Sequence, residues 1–351
     1  FKESIFFSKM SKKPSFRGLF YLDELDLSHI FLNEWSTIYL GVQQQSKLQA
    51  IATSKFFNKL NDGQKIITYG EFFAYNRATY YLTKKVKPET KFIAIQHALN
   101  AKNKMFTYFR RSEFDFDNHN SGKEFSPYPD YFLVQGEQYK KILLEFYDDR
   151  KVETIGPLKQ LRSVIAVKNK LIDKITSEDK RTLLIAPSTG DDYKVIFSFL
   201  KDWKFLNEWR IILSPHPTLN VNLVKTYQEQ KCKNLDVEYI NFPTYQLLSV
   251  VDIVMVGSST IGLEAALFNT RSVRVYSLGT IPQFDLDERI PTFYDIEMFQ
   301  TWFESQNFKF KDDTKKYKSI CKDYFYNNDG MAGNRLWQFI SSIERKNNEI
   351  Y

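Results

Sequence analysis

Short apolar runs rich in Ile, Val, Phe and Tyr recur along the chain between longer amphipathic stretches. In the first part they fall at residues 4–8, 37–42, 65–70, 91–97, 131–136 and 151–156, each with the length and composition of a buried strand. The stretches between them place apolar residues at helical spacing, as Leu143, Leu144 and Phe146 do within 137–147. Strands that alternate with helices in this way predict crossover connections and a parallel sheet. Past Gly156-Pro157 a polar, Lys-rich stretch over 160–180 reads as helix. The alternation then restarts at 182–188, 209–215, 237–242, 251–257 and 272–277, and a last helical segment covers 314–349.

The pattern predicts an α/β chain of two Rossmann-like domains, 1–157 and 158–313, facing across a cleft, with C-terminal helices over 314–351 bracing the two. Ligand in such an architecture sits beyond the carboxyl ends of the strands. No internal repeat is visible, which excludes solenoids. The length of 351 residues agrees with about two domains, and 43% apolar with 16% aromatic residues excludes a disordered class.

Lys and Arg number 49 against 42 Asp and Glu, a net charge of +7 that fits anionic substrates, nucleic acid or an acidic membrane surface without choosing among them. The two cysteines, Cys232 and Cys321, lie far apart with no CxxC spacing. They support neither a disulfide framework nor a zinc cluster and point to a reducing, cytoplasmic setting. The longest apolar runs, such as 250–257, stop well short of the ~20 residues of a spanning helix, and no signal-peptide pattern opens the chain. The expectation is a cytoplasmic protein for which peripheral contact with an anionic inner membrane face stays open.

Chemistry concentrates at the strand ends. Val256-Gly257-Ser258-Ser259-Thr260-Ile261-Gly262-Leu263-Glu264 takes an apolar strand through a glycine and three hydroxyl residues straight into a helix-forming segment. Backbone N–H groups, the helix dipole and the hydroxyls of Ser258, Ser259 and Thr260 suit a phosphate there, while a plain helix cap is the simpler role. Upstream, Ser214-Pro215-His216-Pro217 displays one imidazole between two prolines after another strand. A loop histidine satisfied by carbonyls is the competing reading. Two such features at strand ends of one sheet make a convergent anion site the stronger expectation.

The His-Pro and Ser-Ser-Thr motifs resemble those of GT-B glycosyltransferases, in particular bacterial sialyltransferases, polysialyltransferases and Kdo transferases. The resemblance implies that residues 1–157 bind acceptor and 158–313 bind a CMP-activated acidic sugar. It assigns His216, Pro217, Gly257, Ser258, Ser259, Thr260 and Glu264 to the CMP, together with Ser188 and Thr189. The donor is then a sialic-type nonulosonate or Kdo nucleotide, the acceptor a glycan or glycolipid of a bacterial surface polysaccharide, and no separate cofactor is needed. Ala186-Pro187-Ser188-Thr189-Gly190-Asp191-Asp192 also resembles the Ala-Pro-Thr turn of CDP-glycerol phosphotransferases, whose closing Asp-Gly-Lys-Ala segment is similar to Asp329-Gly330-Met331-Ala332. A glycerophosphotransferase and a noncatalytic glycan-binding protein are therefore the alternatives.

For the base, Asp191 and Asp192 follow a strand end, where acids also favour helix starts. In sialyltransferases the base belongs to an acidic-acidic-Gly motif, whereas Gly190 here precedes the pair. Gln96-His97, after the strand at 91–97, makes His97 the rival base, with a packed strand-end histidine as its plainer role. Glu71 is a further candidate, to assist a base, hold acceptor hydroxyls or cap a helix. Gln96, Asn100, Lys102 and Arg110 are assigned to acceptor binding. The stretch 101–111 interleaves Lys102, Lys104, Arg110 and Arg111 with Met105, Phe106, Tyr108 and Phe109. Such a stretch suits an anionic glycan or lipid phosphate, or is a solvated loop. No nucleic-acid module accompanies it, so DNA and RNA are not expected partners. Asp285-Leu286-Asp287 follows no apolar strand directly and reads as a solvated loop, so no metal site is expected. His29 and His119 have no setting of this kind.

Overall fold

The computed structural model of the chain describes residues 9, 21–22, 25–26, 43–70, 74–97, 99, 128–145, 147, 151–158, 180–188, 190–280, 282, 287–306, 308, 314–326 and 329–348. Packing divides the chain into two units, Phe1–His97 with Tyr108–Phe132 and Ala98–Thr107 with Leu133–Tyr351.

In the first unit, β1 (Tyr21–Leu22) and β2 (Leu25–Asp26) pair antiparallel. Then α1 (Gln43–Phe57), β3 (Lys65–Tyr69), α2 (Ala74–Val86) and β4 (Lys91–Ile95) follow, with β3 and β4 parallel. The Phe92-Ile93-Ala94-Ile95 run of β4 is buried throughout, as a strand covered on both faces must be. Asp130 ties the helix to the sheet. One of its oxygens accepts from Lys84 Nζ at 2.6 Å and the other from the Phe92 N–H at 2.8 Å. Two further strands follow in the chain, β5 (Tyr131–Val134) and β6 (Val152–Thr154).

The second unit carries α3 (Glu137–Leu144) and a six-stranded sheet. Its elements in chain order are β7 (Arg181–Ile185), α4 (Asp192–Leu200), β8 (Trp209–Leu213), α5 (Val221–Lys231), β9 (Glu238–Tyr239) and α6 (Thr244–Leu247). They continue with β10 (Ile253–Val256), α7 (Ile261–Glu264), β11 (Arg271–Val275), β12 (Thr292–Phe293) and α8 (Ile296–Ser305). Helices α9 (Thr314–Phe325) and α10 (Ala332–Asn348) close the described chain. The strand order is β12-β11-β10-β7-β8-β9 and every neighbouring pair is parallel. The chain lays strands outward from β7 to β9, then returns to place β10 on the other side of β7. The direction of winding reverses between β7 and β10, where doubly wound sheets open a crevice at their carboxyl ends.

Burial explains the arrangement. All five residues of β8 are buried, and its one charge, Arg210, is held by Glu238 on β9 through contacts of 2.6–3.0 Å. One face of the sheet packs an aromatic cluster that includes Phe197, Trp203, Trp209, Phe299 and Phe303. The Trp203 indole N–H donates to Glu304, so its polar end is satisfied while its ring fills the core. At the other end of the chain, Arg335 of α10 donates to the Ile155 carbonyl at 2.7 Å and pairs with Asp329.

Several sequence expectations change. The strand expected over 237–242 shortens to the two residues of β9, which pairs with β8 at the edge of the sheet among the described residues. The run at 182–188 leaves the sheet after Ile185, because Pro187 has no N–H to give a ladder. Strand β12 is two residues long, too short to announce itself by alternation. The runs at 4–8 and 37–42 and the helix expected over 160–180, its last residue apart, lie outside the described residues. No described helix is long and apolar enough to cross a membrane.

Candidate functional site

A cavity of about 500 Å³ opens at the carboxyl ends of β7, β8, β9 and β10. Four turns wall it: Ala186 and Pro187 after β7, Ser214 to Pro217 after β8, Asn241 to Tyr245 after β9, and Ser259, Thr260, Ile261 and Glu264 after β10. His216, Pro217, Ser259, Thr260 and Glu264, singled out from separate parts of the sequence, therefore face one space. The Asn241–Tyr245 wall was not foreseen. It follows a strand of the same sheet, but its residues carry no motif.

The chemistry of the walls follows from their hydrogen bonds. The Thr218 backbone N–H lies 3.3 Å from His216 Nδ1, and the Thr218 hydroxyl lies 2.8 Å from the same nitrogen. A backbone N–H can only donate, so Nδ1 accepts, and the neutral ring carries its proton on Nε2. His216 is thus an exposed imidazole whose Nδ1 is turned toward Thr218, leaving Nε2 outward. Ser259 Oγ accepts from the Ile261 N–H at 3.4 Å, which leaves its own hydrogen to donate. The capping and phosphate roles of Ser259 are compatible in this geometry. Thr260 Oγ1 donates to Glu264 at 3.1 Å, setting the position of that carboxylate. Ser214 Oγ donates to the Phe242 carbonyl and meets Thr244 Oγ1 at 2.8 Å, which joins the β8 turn to the β9 turn.

One expectation about this turn needs correction. The helix after Thr260 is a single α turn, continued as a 3-10 turn over Ala265–Phe268. Its dipole is correspondingly small, and imidazole and hydroxyl donors supply the polarity instead. Gly262 lets this turn press onto the sheet, because a Cβ there would meet Val256 Cγ2 at 2.9 Å.

Gly257 and Ser258 are placed beside the cavity rather than in its lining. Oδ2 of Asp192 accepts from the N–H of Ser188 at 3.0 Å and from the N–H of Ser258 at 2.9 Å. On its far side, Tyr276 Oη donates to the Gly257 carbonyl at 3.1 Å. Burial raises the proton affinity of Asp192 above the ordinary carboxylate range, with the two backbone N–H groups acting against it. Asp191 is different: its side chain is 72% exposed and pairs with Lys194 at 2.9 Å.

Behind these turns lies a buried charge that the sequence did not disclose. Arg274 of β11 is 1% exposed, and burial lowers its proton affinity while Tyr276, Tyr324 and Asp287 act to restore it. Asp287, expected in a solvated loop, is buried. It accepts from the Arg289 side chain at 2.6 and 2.8 Å and from the Arg289 N–H at 2.9 Å. Its residues alone could not show that arginine partner closing back on it. Asp285 lies outside the described residues. Among the described residues, no group of three or more His, Cys, Asp or Glu side chains gathers as metal ligands do.

In the first unit, Gln96 is buried directly after β4 and His97 is exposed, its ring edge-to-face with Tyr69 at 4.8 Å. Glu71, Asn100, Lys102, Arg110 and Thr189 lie outside the described residues.

No family model and no curated protein matches the sequence. Solved structures do resemble the fold. A UDP-GlcNAc 2-epimerase from Neisseria meningitidis bound to UDP-GlcNAc is similar with a TM-score of 0.55 at 14% identity, covering 86% of this chain and 82% of that one. S. aureus MnaA in complex with UDP matches with the same TM-score, identity and coverage. A glycosyltransferase from Rickettsia africae is similar with a TM-score of 0.51 at 14% identity, over 83% of this chain and 80% of that one. At such identities the likeness establishes the fold alone. The chain has a GT-B-type α/β fold, shared with glycosyltransferases and nucleotide-sugar epimerases.

Proposed function

We propose that the chain is a glycosyltransferase that moves a 2-keto acid sugar, a sialic-type nonulosonate or Kdo, from its CMP donor to a glycan hydroxyl in bacterial surface polysaccharide synthesis. The observation that carries the reading is the meeting of His216 Nε2–H, Ser259 and Thr260 with Glu264 in one cavity at the switch point of a parallel sheet. In the transfer, the acceptor oxygen bonds to the anomeric carbon as the bond from that carbon to the phosphate oxygen breaks. CMP leaves with the electron pair of that bond. Fixed donors at the phosphate lower the barrier by meeting the charge as it develops, so metal ions are not required. His216 and Ser259 are the donors in this reading, and Glu264, held by Thr260, binds the nucleotide hydroxyls.

The acceptor proton goes to a base. His97 and Asp191 are the candidates, Asp191 paired with Lys194 on the protein's surface. A second reading, glycerophosphate transfer from CDP-glycerol, draws on Ala186 and Pro187 lining the same cavity and also releases CMP.

The test is thermal unfolding with CMP, CDP, UDP, GDP and ADP in separate samples. A nucleotide present at 100 times its Kd stabilises the folded chain by about 2.7 kcal/mol, and CMP is expected to be the one that does so. A shift with UDP or GDP alone would retain a nucleotide-sugar enzyme and discard the acidic-sugar donor. No shift with any of them would favour a glycan-binding protein.

A further inference from the structure

We propose that Asp192 is a positioning residue for the nucleotide site, setting the spacing of the Ser188 and Ser258 turns and taking no proton from the acceptor. The inference rests on reading the cavity as a nucleotide-phosphate site.

The geometry is that of a clamp. A single carboxylate oxygen receives two N–H groups that are 70 residues apart in the chain, Ser188 at 3.0 Å and Ser258 at 2.9 Å. One belongs to the turn after β7 and the other to the turn after β10, the neighbouring strands between which the winding of the sheet reverses. The backbone ladder between the two strands runs as far as the Ala186 N–H, which donates to the Met255 carbonyl at 3.0 Å, and Ser188 and Ser258 lie beyond it. Each tethered residue adjoins a wall of the cavity, Ser188 next to Pro187 and Ser258 next to Ser259. A change in the spacing of the turns is therefore a change in the width of the site.

Gly257 makes the clamp fit. A Cβ there would lie 2.5 Å from Asp192 Oδ1, so only a glycine admits the carboxylate this close to the backbone. Tyr276 holds the same residue through its carbonyl. The β10 turn is thus fixed by an acceptor from α4 and a donor from the end of β11, and it meets the ligand already positioned.

The chemistry separates a clamp from a base. A base must take up a proton, which an amide in place of the carboxylate cannot do. A clamp needs only an oxygen that accepts two N–H groups, and an asparagine carbonyl has the lone pairs for both. Asp192→Asn and Asp192→Ala therefore divide the two roles.

The experiment follows three readouts: amide hydrogen exchange at Ser188 and Ser258 in the ligand-free protein, CMP affinity, and turnover with the CMP-sugar donor. Loss of hydrogen bonds to a charged group should speed exchange at both amides about 10- to 100-fold in Asp192→Ala and weaken CMP binding about tenfold. Asp192→Asn should stay within about threefold of wild type in all three readouts, since its carbonyl accepts both amides. Unchanged exchange at both amides in Asp192→Ala would overturn the clamp. So would an Asp192→Asn protein that binds CMP as wild type does yet has lost turnover, since that is the behaviour of a missing base. If the wild-type protein bound no nucleotide, the functional reading would fall, and the exchange rates alone would decide whether Asp192 spaces the turns.

Discussion

Replacing His216 with alanine should weaken CMP binding about 10- to 100-fold while leaving the melting temperature of the ligand-free protein unchanged. The size follows from the hydrogen bond that is lost, since a hydrogen bond to a charged phosphate contributes about 1.5–3 kcal/mol, and each 1.4 kcal/mol is tenfold in Kd. The unchanged stability follows from position. His216 is exposed, and the described hydrogen-bond contacts of its side chain, with Thr218, are local. Titration of CMP into the variant and wild type by calorimetry reads the affinity directly. Equal affinities would remove His216 from the nucleotide site.

The second large effect is expected at Gly257, where alanine should destabilise the protein and weaken CMP binding together. Its Cβ would lie 2.5, 2.7 and 2.8 Å from Oδ1, Cγ and Oδ2 of Asp192. That carboxylate is no flexible side-chain tip, because it is held by the N–H groups of Ser188 and Ser258. Overpacking of this kind costs about 1–3 kcal/mol, and displacing the carboxylate adds up to about 1–3 kcal/mol for the part-buried N–H groups left without an acceptor. Gly333 provides the control: nothing lies within 4 Å of a Cβ built there, at the start of α10. Gly333→Ala should be neutral or stabilising by up to about 1 kcal/mol. Chemical denaturation of the two variants, with CMP titrated into each, checks the contrast. A Gly257→Ala protein as stable as wild type would mean that the turn yields without cost.

The sequence made the strands legible where burial on both faces forces a continuous apolar run, as in Phe92 to Ile95 and Ile253 to Val256. It singled out His216 and Ser259, which line one cavity, because a proline-flanked histidine and a hydroxyl cluster stand directly after such runs. What it could not carry was the order of strands within the sheet. The neighbourhood of β7 and β10 brings Asp192 to Ser258, and no local spacing encodes that pairing. The Asn241–Tyr245 wall was hidden for the same reason, since β9 is a two-residue edge strand. Asp287 was misjudged because its polar surroundings in sequence conceal a partner, Arg289, that folds back over it.

The central claim is that the cavity at the switch point serves transfer of an acidic sugar from CMP. The direct test is to incubate the protein with CMP-activated sialic, pseudaminic, legionaminic and Kdo donors and a glycan acceptor in the presence of a chelator, measuring CMP release and glycan mass. We expect CMP and extended glycan to form in equal amounts from one of these donors, with both lost when the acceptor is omitted. Release of CMP from CDP-glycerol alone, or a strict need for a divalent cation, would contradict the account.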